Sequence, residues 1–345
     1  MNMKLIKPKK LSKGDTIGVI APSAGNADIF PHRIESAIKS LERSGYKVKF
    51  ATHSLERNGY VSSDPKKRAD DIHEMFKDSG VSAIICTIGG DHSNQILKYL
   101  DFELIKNNPK IFIGFSDISV LHYALMKKSN LQTFYGACLM TQFGEYPDIL
   151  PYTLEYFNKA ITSLDSIGDV VPSKEWTAEI LDWTMKKDLE RPRKLIQSDG
   201  YEWLKQGSVS GQILGGCVPS INHLTGTEYW IDPTGSIFFI DVPEGYEFGK
   251  GLPVYALDAY LADLDNIGVF GKIEGLIIGR PYNYSTDEYN ELKKIILYYT
   301  QKYNYPILLN VNIGHCDPII TLPFGVNVTI DSKQNKFSIN EPSVI

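Results

Sequence analysis

The sequence predicts an α/β protein of two domains, the first built on a parallel sheet covered by helices on both faces. Three observations predict it. Short apolar runs alternate with stretches of helical spacing through the first half of the chain. Those runs are apolar throughout instead of alternating with polar residues, as burial on both faces of a parallel sheet requires. A chain of 345 residues also exceeds the size at which one hydrophobic core usually serves, so a second domain is expected.

The elements follow in order. Thr16 to Ala21 is a strand-sized apolar run closed by the turn Pro22-Ser23-Ala24-Gly25. Ile34 to Ser44 has helical spacing, with Ile34, Ile38 and Leu41 on one face. Tyr46 to Ala51 reads as a strand. Pro65 to Asp78 reads as a helix striped by Ala69, Ile72, Met75 and Phe76. Asp64 is its expected cap and Pro65 suits its first position. Val81 to Thr87 is a buried strand ending at Gly89-Gly90. Asn94 to Leu100 begins a helix, Ile111 to Gly114 is a strand, and Ile118 to Lys127 is a helix. Residues 1–162 form this first domain. Residues 163–207 change character, with Trp176, Trp183 and Trp203 among charged residues and prolines, and are expected to be an excursion between domains. The tryptophans there serve either to plug the domain interface or as an aromatic wall for a ligand. Residues 208–345 mix strands (Ser236 to Val242, Leu276 to Gly279, Val326 to Ile330) with helices near Val254 to Leu264 and Thr286 to Tyr303.

Composition narrows the function. With 43% hydrophobic and 22% charged residues, the chain can bury enough apolar surface to fold, which excludes a disordered protein. The net charge of −5 without a long basic run excludes a general nucleic-acid binder. The basic stretch from Lys4 to Lys13 is broken by Leu5, Ile6 and Leu11. No apolar segment of roughly 7–15 residues follows it to make a signal peptide. No run reaches the roughly 18 residues of a membrane helix. Cys86, Cys138, Cys217 and Cys316 are dispersed and form no CxxC pair, which fits a reduced compartment and offers no zinc motif. The expectation is a cytoplasmic protein without membrane or nucleic-acid partners, metal or cofactor.

Three segments carry chemistry. In Ile113-Gly114-Phe115-Ser116-Asp117-Ile118 an apolar strand runs into a serine and then a helix. A serine on such a turn is pushed out at the sheet edge, the physics of a nucleophile elbow, although Ile118 stands where the hydrolase motif has glycine. Helix capping is the alternative use of Ser116. In Gly89-Gly90-Asp91-His92-Ser93 the two glycines let backbone approach a ligand. The segment suits a phosphate loop, a manganese site like that of ureohydrolases, or an oxyanion hole, which needs only backbone N–H groups. Asn312-Ile313-Gly314-His315-Cys316-Asp317 puts a histidine in a loop, and Ile237 to Asp241 delivers a carboxylate at a strand end, with Glu244 close behind. Serine, acid and histidine thus occur in chain order.

With these motifs assembled, the chain resembles the LD-carboxypeptidase-like serine peptidases, which include microcin C self-immunity proteins. The likeness runs from Lys13-Gly14-Asp15 and Ile20-Ala21-Pro22-Ser23 through Gly89-Gly90, Gly114-Phe115-Ser116-Asp117 and Gly215-Gly216. It continues through Lys272 to Gly279, Gly314-His315, and Leu322-Pro323-Phe324-Gly325. The resemblance implies a flavodoxin-like N-terminal layer, a small barrel-like C-terminal α/β domain, and an active site at their junction in a homodimer. It implies Ser116 as nucleophile, His315 as general base, and the N–H groups of Gly90 and Asp117 as the oxyanion hole. The family's acid, usually glutamate, falls at Asp241; Glu244 and Glu247 are alternative acids. Two more departures are Cys217, where the family usually has asparagine after Gly-Gly, and Ala137, where a proline often follows glycine.

One branch of the family trims a terminal D-alanine from murein tetrapeptides, and the other cleaves an amide in a peptidyl-nucleotide conjugate. The excursion and the Gly89-Gly90-Asp91 segment look more like the second. There a purine stacks on Trp176 or Trp183, Arg191 or Arg193 meets phosphate, and Gly89 lies beside the substrate. The alternative is a weakened or inactive paralogue that binds such a conjugate without turnover. A neutral His315 is expected to lose activity below its ordinary pKa of about 6.5.

Overall fold

The protein is described from a computed structural model, and residues 4–345 are described. Its first half winds through β1 (Thr16–Ile20), α1 (Pro31–Arg43), β2 (Lys47–Phe50), α2 (Pro65–Lys77), β3 (Val81–Cys86), α3 (Phe102–Asn107), β4 (Ile111–Gly114), α4 (Ser119–Ser129), β5 (Phe134–Tyr135) and α5 (Pro151–Ile161). Strands β1, β3 and β4 are almost wholly buried, which is why their sequences are apolar on both sides. Helix α1 buries Ile34, Ala37 and Leu41, and α2 buries Ala69, Ile72, Met75 and Phe76. Each opens on a proline, whose missing N–H costs nothing in the first turn. Asp64 precedes α2 but makes no side-chain cap; its carboxylate accepts from Asn58 instead. The expected helix at Asn94 to Leu100 is a tighter 3₁₀ turn over Ser93–Tyr99.

The remaining elements are β6 (Gly168–Asp169), β7 (Glu175–Trp176), β8 (Ile196–Gln197), β9 (Glu202–Lys205), β10 (Ser208–Cys217), α6 (Val218–Asn222), β11 (Ile237–Asp241), α7 (Val254–Asn266), β12 (Gly275–Gly279), α8 (Thr286–Thr300), β13 (Ile307–Val311), β14 (Leu322–Pro323), β15 (Asn327–Asp331) and β16 (Lys336–Ile339). They build an eight-stranded, curled half-barrel sheet in the order β6-β16-β15-β10-β11-β12-β13-β9. Strands β10 to β13 run parallel, and antiparallel strands flank them. Stretch 163–207 is more than a connection, since it supplies edge strands β6 and β9 to this sheet and a separate β7–β8 pair.

The first sheet has the order β14-β5-β4-β3-β1-β2. Its sixth strand comes from far along the chain: β14 lies antiparallel to β5, pairing Leu322 with Tyr135 and Pro323 with Phe134. The carboxyl ends of β4, β5 and β11 therefore converge. In α/β sheets ligands bind beyond those ends.

Candidate active site

Strand β4 ends at Gly114, and two residues later Ser116 adopts φ 65°. A non-glycine residue rarely enters this left-handed region, and surrounding structure must hold it there. The Ser116 N–H donates to the Tyr135 hydroxyl at 3.1 Å. The Ser119 hydroxyl donates to the Ser116 carbonyl at 2.7 Å. His122 Nε2 donates to the Gly114 carbonyl at 2.9 Å. The loop after β3 closes over the serine so tightly that a Cβ on Gly89 would sit 2.8 Å from Ser116 Cβ. This contact, and not conformational freedom, requires glycine at position 89.

Asp117 is fully buried and works as a brace. Its Oδ2 accepts from the Ser23 hydroxyl at 2.5 Å and from the N–H groups of His92 at 2.9 Å and Ser93 at 2.8 Å. The Ser93 hydroxyl returns a bond to the Asp117 carbonyl at 2.8 Å. These bonds tie the Gly89-Gly90 loop to the serine turn. Gly90, at φ 143°, has no room for a side chain, since a Cβ would lie 2.5 Å from the Ser23 hydroxyl. The N–H groups of Gly90 and Asp117 donate to no other group among the described residues.

Asp241 comes from the second sheet and His315 from the loop after its strand β13. Asp241 ends β11 fully buried, and His315 Nδ1 lies 3.0 Å from its Oδ1 and 2.8 Å from its Oδ2. An aspartate reaches the ring because Gly314, at φ 95°, lets the loop press against it; a Cβ on Gly314 would lie 1.8 Å from Asp241 Oδ1. The His315 side chain is only 4% exposed, and its Nε2 lies 3.4 Å from Glu244 Oε2. Burial alone would lower the histidine's pKa, but the carboxylates of Asp241 and Glu244 outweigh it and raise it to about 9. The ordinary pKa of about 6.5 expected for His315 is thereby corrected upward. No hydrogen bond joins Ser116 Oγ to His315 among the described residues. The His315 ring packs edge-on against Phe115, with centroids 5.0 Å apart. Glu247 lies farther along the loop, where its carbonyl accepts from Lys250.

Strand β10 ends beside this pair at Gly215-Gly216-Cys217. The Cys217 N–H donates to Ser119 Oγ at 3.0 Å, so one hydroxyl bridges the serine turn and the second sheet. Cys217 Sγ, an Asp241 carboxylate oxygen and a His315 ring nitrogen lie within 4.8 Å of one another. Here burial, with Asp241 next, raises the thiol pKa well above its ordinary value, and Asp241 and His315 are bonded to each other.

Residues 17–136 match the LD-carboxypeptidase N-terminal domain, and residues 210–330 match the LD-carboxypeptidase C-terminal domain. The chain belongs to the LD-carboxypeptidase family. The microcin C7 self-immunity protein MccF of Escherichia coli is 30% identical, over 96% of this chain and 94% of its own. A solved structure of MccF in complex with glutamyl sulfamoyl guanosine superposes with a TM-score of 0.88 at 28% identity, over 98% of this chain and 99% of that one. The murein tetrapeptide carboxypeptidase of Pseudomonas aeruginosa is 33% identical over 92% of this chain and 94% of its own. As a member of the LD-carboxypeptidase family the protein is a serine-type hydrolase.

In this member of the family the excursion residues are well occupied. Arg193 is buried in ion pairs with Glu145 Oε2 and Asp317 Oδ2, both at 2.6 Å. Arg191 pairs at the surface with Glu179 at 2.7 Å. Trp183 lies under the Arg33 guanidinium at 4.4 Å and meets Phe30 edge-on. Trp176 lies under Arg280 at 4.6 Å and lines a surface groove with Ile180, Lys194, Ile196, Phe248 and Asn283. Sequence reasoning missed Tyr135, Ser119 and His122. They resemble ordinary strand and helix residues, and only the folded contacts single them out; Ser23 was quoted as part of a turn and motif, but its bond to Asp117 was not foreseen. The role of Gly314 was foreshadowed by its place directly before His315.

Proposed function

We propose that this protein hydrolyses the terminal amide of a small peptidyl- or aminoacyl-nucleotide conjugate, with Ser116, His315 and Asp241 as its triad. The observation that carries the triad is the buried Asp241–His315 pair in ring contact with Phe115, next to the strained Ser116. His315 Nε2 accepts the Ser116 proton as Oγ attacks the carbonyl carbon. The same proton passes to the leaving nitrogen, and water then reverses the sequence to release the acyl group. Asp241 holds Nδ1–H toward itself and stabilises the imidazolium. The N–H groups of Gly90 and Asp117 receive the oxyanion.

The nucleotide end is assigned to the groove of Trp176 and Phe248, where aromatic faces suit a base and exposed Lys194 suits a phosphate-like group. Lys194 takes the role first expected of Arg191 and Arg193, because both arginines are spent on carboxylates. Whole-chain similarity to MccF supports the substrate class. The buried, unpaired cysteines support action in the cytoplasm, and no helix among the described residues is long and apolar enough to cross a membrane. A homodimer is part of the proposal, with exposed Tyr246 and Tyr255 as candidate contacts; sedimentation tests it.

Mass-spectrometric turnover tests the reading. Wild type should cleave aminoacyl sulfamoyl adenylates and Ser116→Ala should not. Release of D-alanine from a murein tetrapeptide, with the adenylates untouched, would replace the substrate class. A second reading, a protein that binds without turnover, is favoured by the position of Nε2 against Glu244. Retained binding with no cleavage of either substrate would establish it.

A further inference from the structure

Tyr135 is buried, 1% exposed, at the end of two-residue strand β5. Its backbone is paired on both sides, with Gly114 of β4 and Leu322 of β14. Its ring is boxed by Phe239 at 5.1 Å, His122 at 6.0 Å, Phe324 at 6.1 Å and Phe115 at 6.3 Å between centroids. The hydroxyl therefore has one place to be. There it donates to Asp241 Oδ2 at 2.5 Å and accepts the Ser116 N–H at 3.1 Å. One atom thus touches the acid from the second sheet and the nucleophile's backbone in the first.

Resting on the triad reading above, we propose that Tyr135 is a positioning residue that sets the shortened acid and the strained serine in register across the two sheets. Aspartate has one methylene less than glutamate and fewer atoms with which to find the histidine. A fixed donor on Oδ2 leaves Asp241 a single orientation toward Nδ1. The same oxygen occupies the Ser116 N–H, which assigns the oxyanion to the Gly90 and Asp117 amides. Four groups face His315: Asp241 from β11, Glu244 from the loop after it, Asp317 on its own loop, and Cys217 at the end of β10. Tyr135 bonds to the first. Taking its hydroxyl away leaves Asp241 more basic and the imidazolium better stabilised, so the pH at which His315 becomes a base rises.

The test uses diisopropyl fluorophosphate, which reports on the nucleophile whatever the natural substrate. An O–P bond forms at Ser116 Oγ, the P–F bond breaks, fluoride leaves and His315 takes the serine proton. Tyr135→Phe keeps the boxed ring and should fold as wild type does, melting somewhat lower because Asp241 loses a buried donor. It should label about tenfold more slowly, the effect of one hydrogen bond to a charged group, with the acid limb of the rate profile moved to higher pH. Incorporation of 3-fluorotyrosine at position 135 makes the hydroxyl a stronger donor and should move that limb to lower pH. A wild-type rate and limb in Tyr135→Phe, or an unmoved limb with 3-fluorotyrosine, would overturn the role. Labelling of Ser116→Ala at the wild-type rate, or an unlabelled wild type, would overturn the nucleophile assignment and the Tyr135 role with it.

Discussion

His315 sits between two carboxylates, with Asp241 on Nδ1 and Glu244 on Nε2. Those carboxylates raise its pKa to about 9, and Nε2 accepts a proton only once the ring is neutral. The acid limb of activity should therefore lie in the alkaline range. Glu244 is 56% exposed, so water and salt screen much of its pull. Glu244→Gln should move the limb to lower pH by about half a unit, the scale of a screened charge, as kcat/KM profiles would show. Stability runs the other way. The folded pKa lies above the ordinary value of 6.5, so the stabilising contribution is complete below 6.5 and is lost as pH rises through about 9. Thermal melts over that interval should fall as activity rises.

At the scale of elements, the strand ends carry the site and the glycines decide how closely they approach. Gly314 is the clearest case. Its left-handed φ alone costs an alanine roughly 1–2 kcal/mol, and the added Cβ would lie 1.8 Å from Asp241 Oδ1. Gly314→Ala should lower the melting temperature and cut kcat at least tenfold, because the acid and base lose register; unchanged kinetics would show that Asp241 does not orient His315. Much of this was legible in the sequence. The apolar strand into Gly-Phe-Ser-Asp, the carboxylate after Ile237 to Ile240 and the histidine after Gly314 each mark an element end. Ser119 and Tyr135 were not legible, because their partners are 98 and 106 residues away. Nor was the setting of Arg193 legible: expected beside a phosphate, it is enclosed by two distant carboxylates. Asp64 misled, since a good capping residue found a different partner in Asn58.

Across the whole molecule, the excursion is stapled to α1 and to the loops that hold Glu145 and Asp317. Arg33 and His32 of α1 meet Asp188 at 3.1 and 3.2 Å, and Arg193 joins Glu145 to Asp317, two residues beyond His315. Burial raises the Glu145 pKa even with Arg193 beside it. Arg193→Ala would strand two buried carboxylates and should destabilise the protein by roughly 3–5 kcal/mol, read by denaturant unfolding; a loss under 1 kcal/mol would mean that water replaces the guanidinium. A longer thread is β14. Leu322 and Pro323 close the edge of a sheet whose other strands all lie before residue 136. A fragment of the chain ending before β14 would have an open edge beside Tyr135, an invitation to foreign strands. During synthesis the turn that carries Ser116 therefore waits first for Asp241, then for His315 and its last strand, and its surroundings close only when Leu322 and Pro323 have emerged.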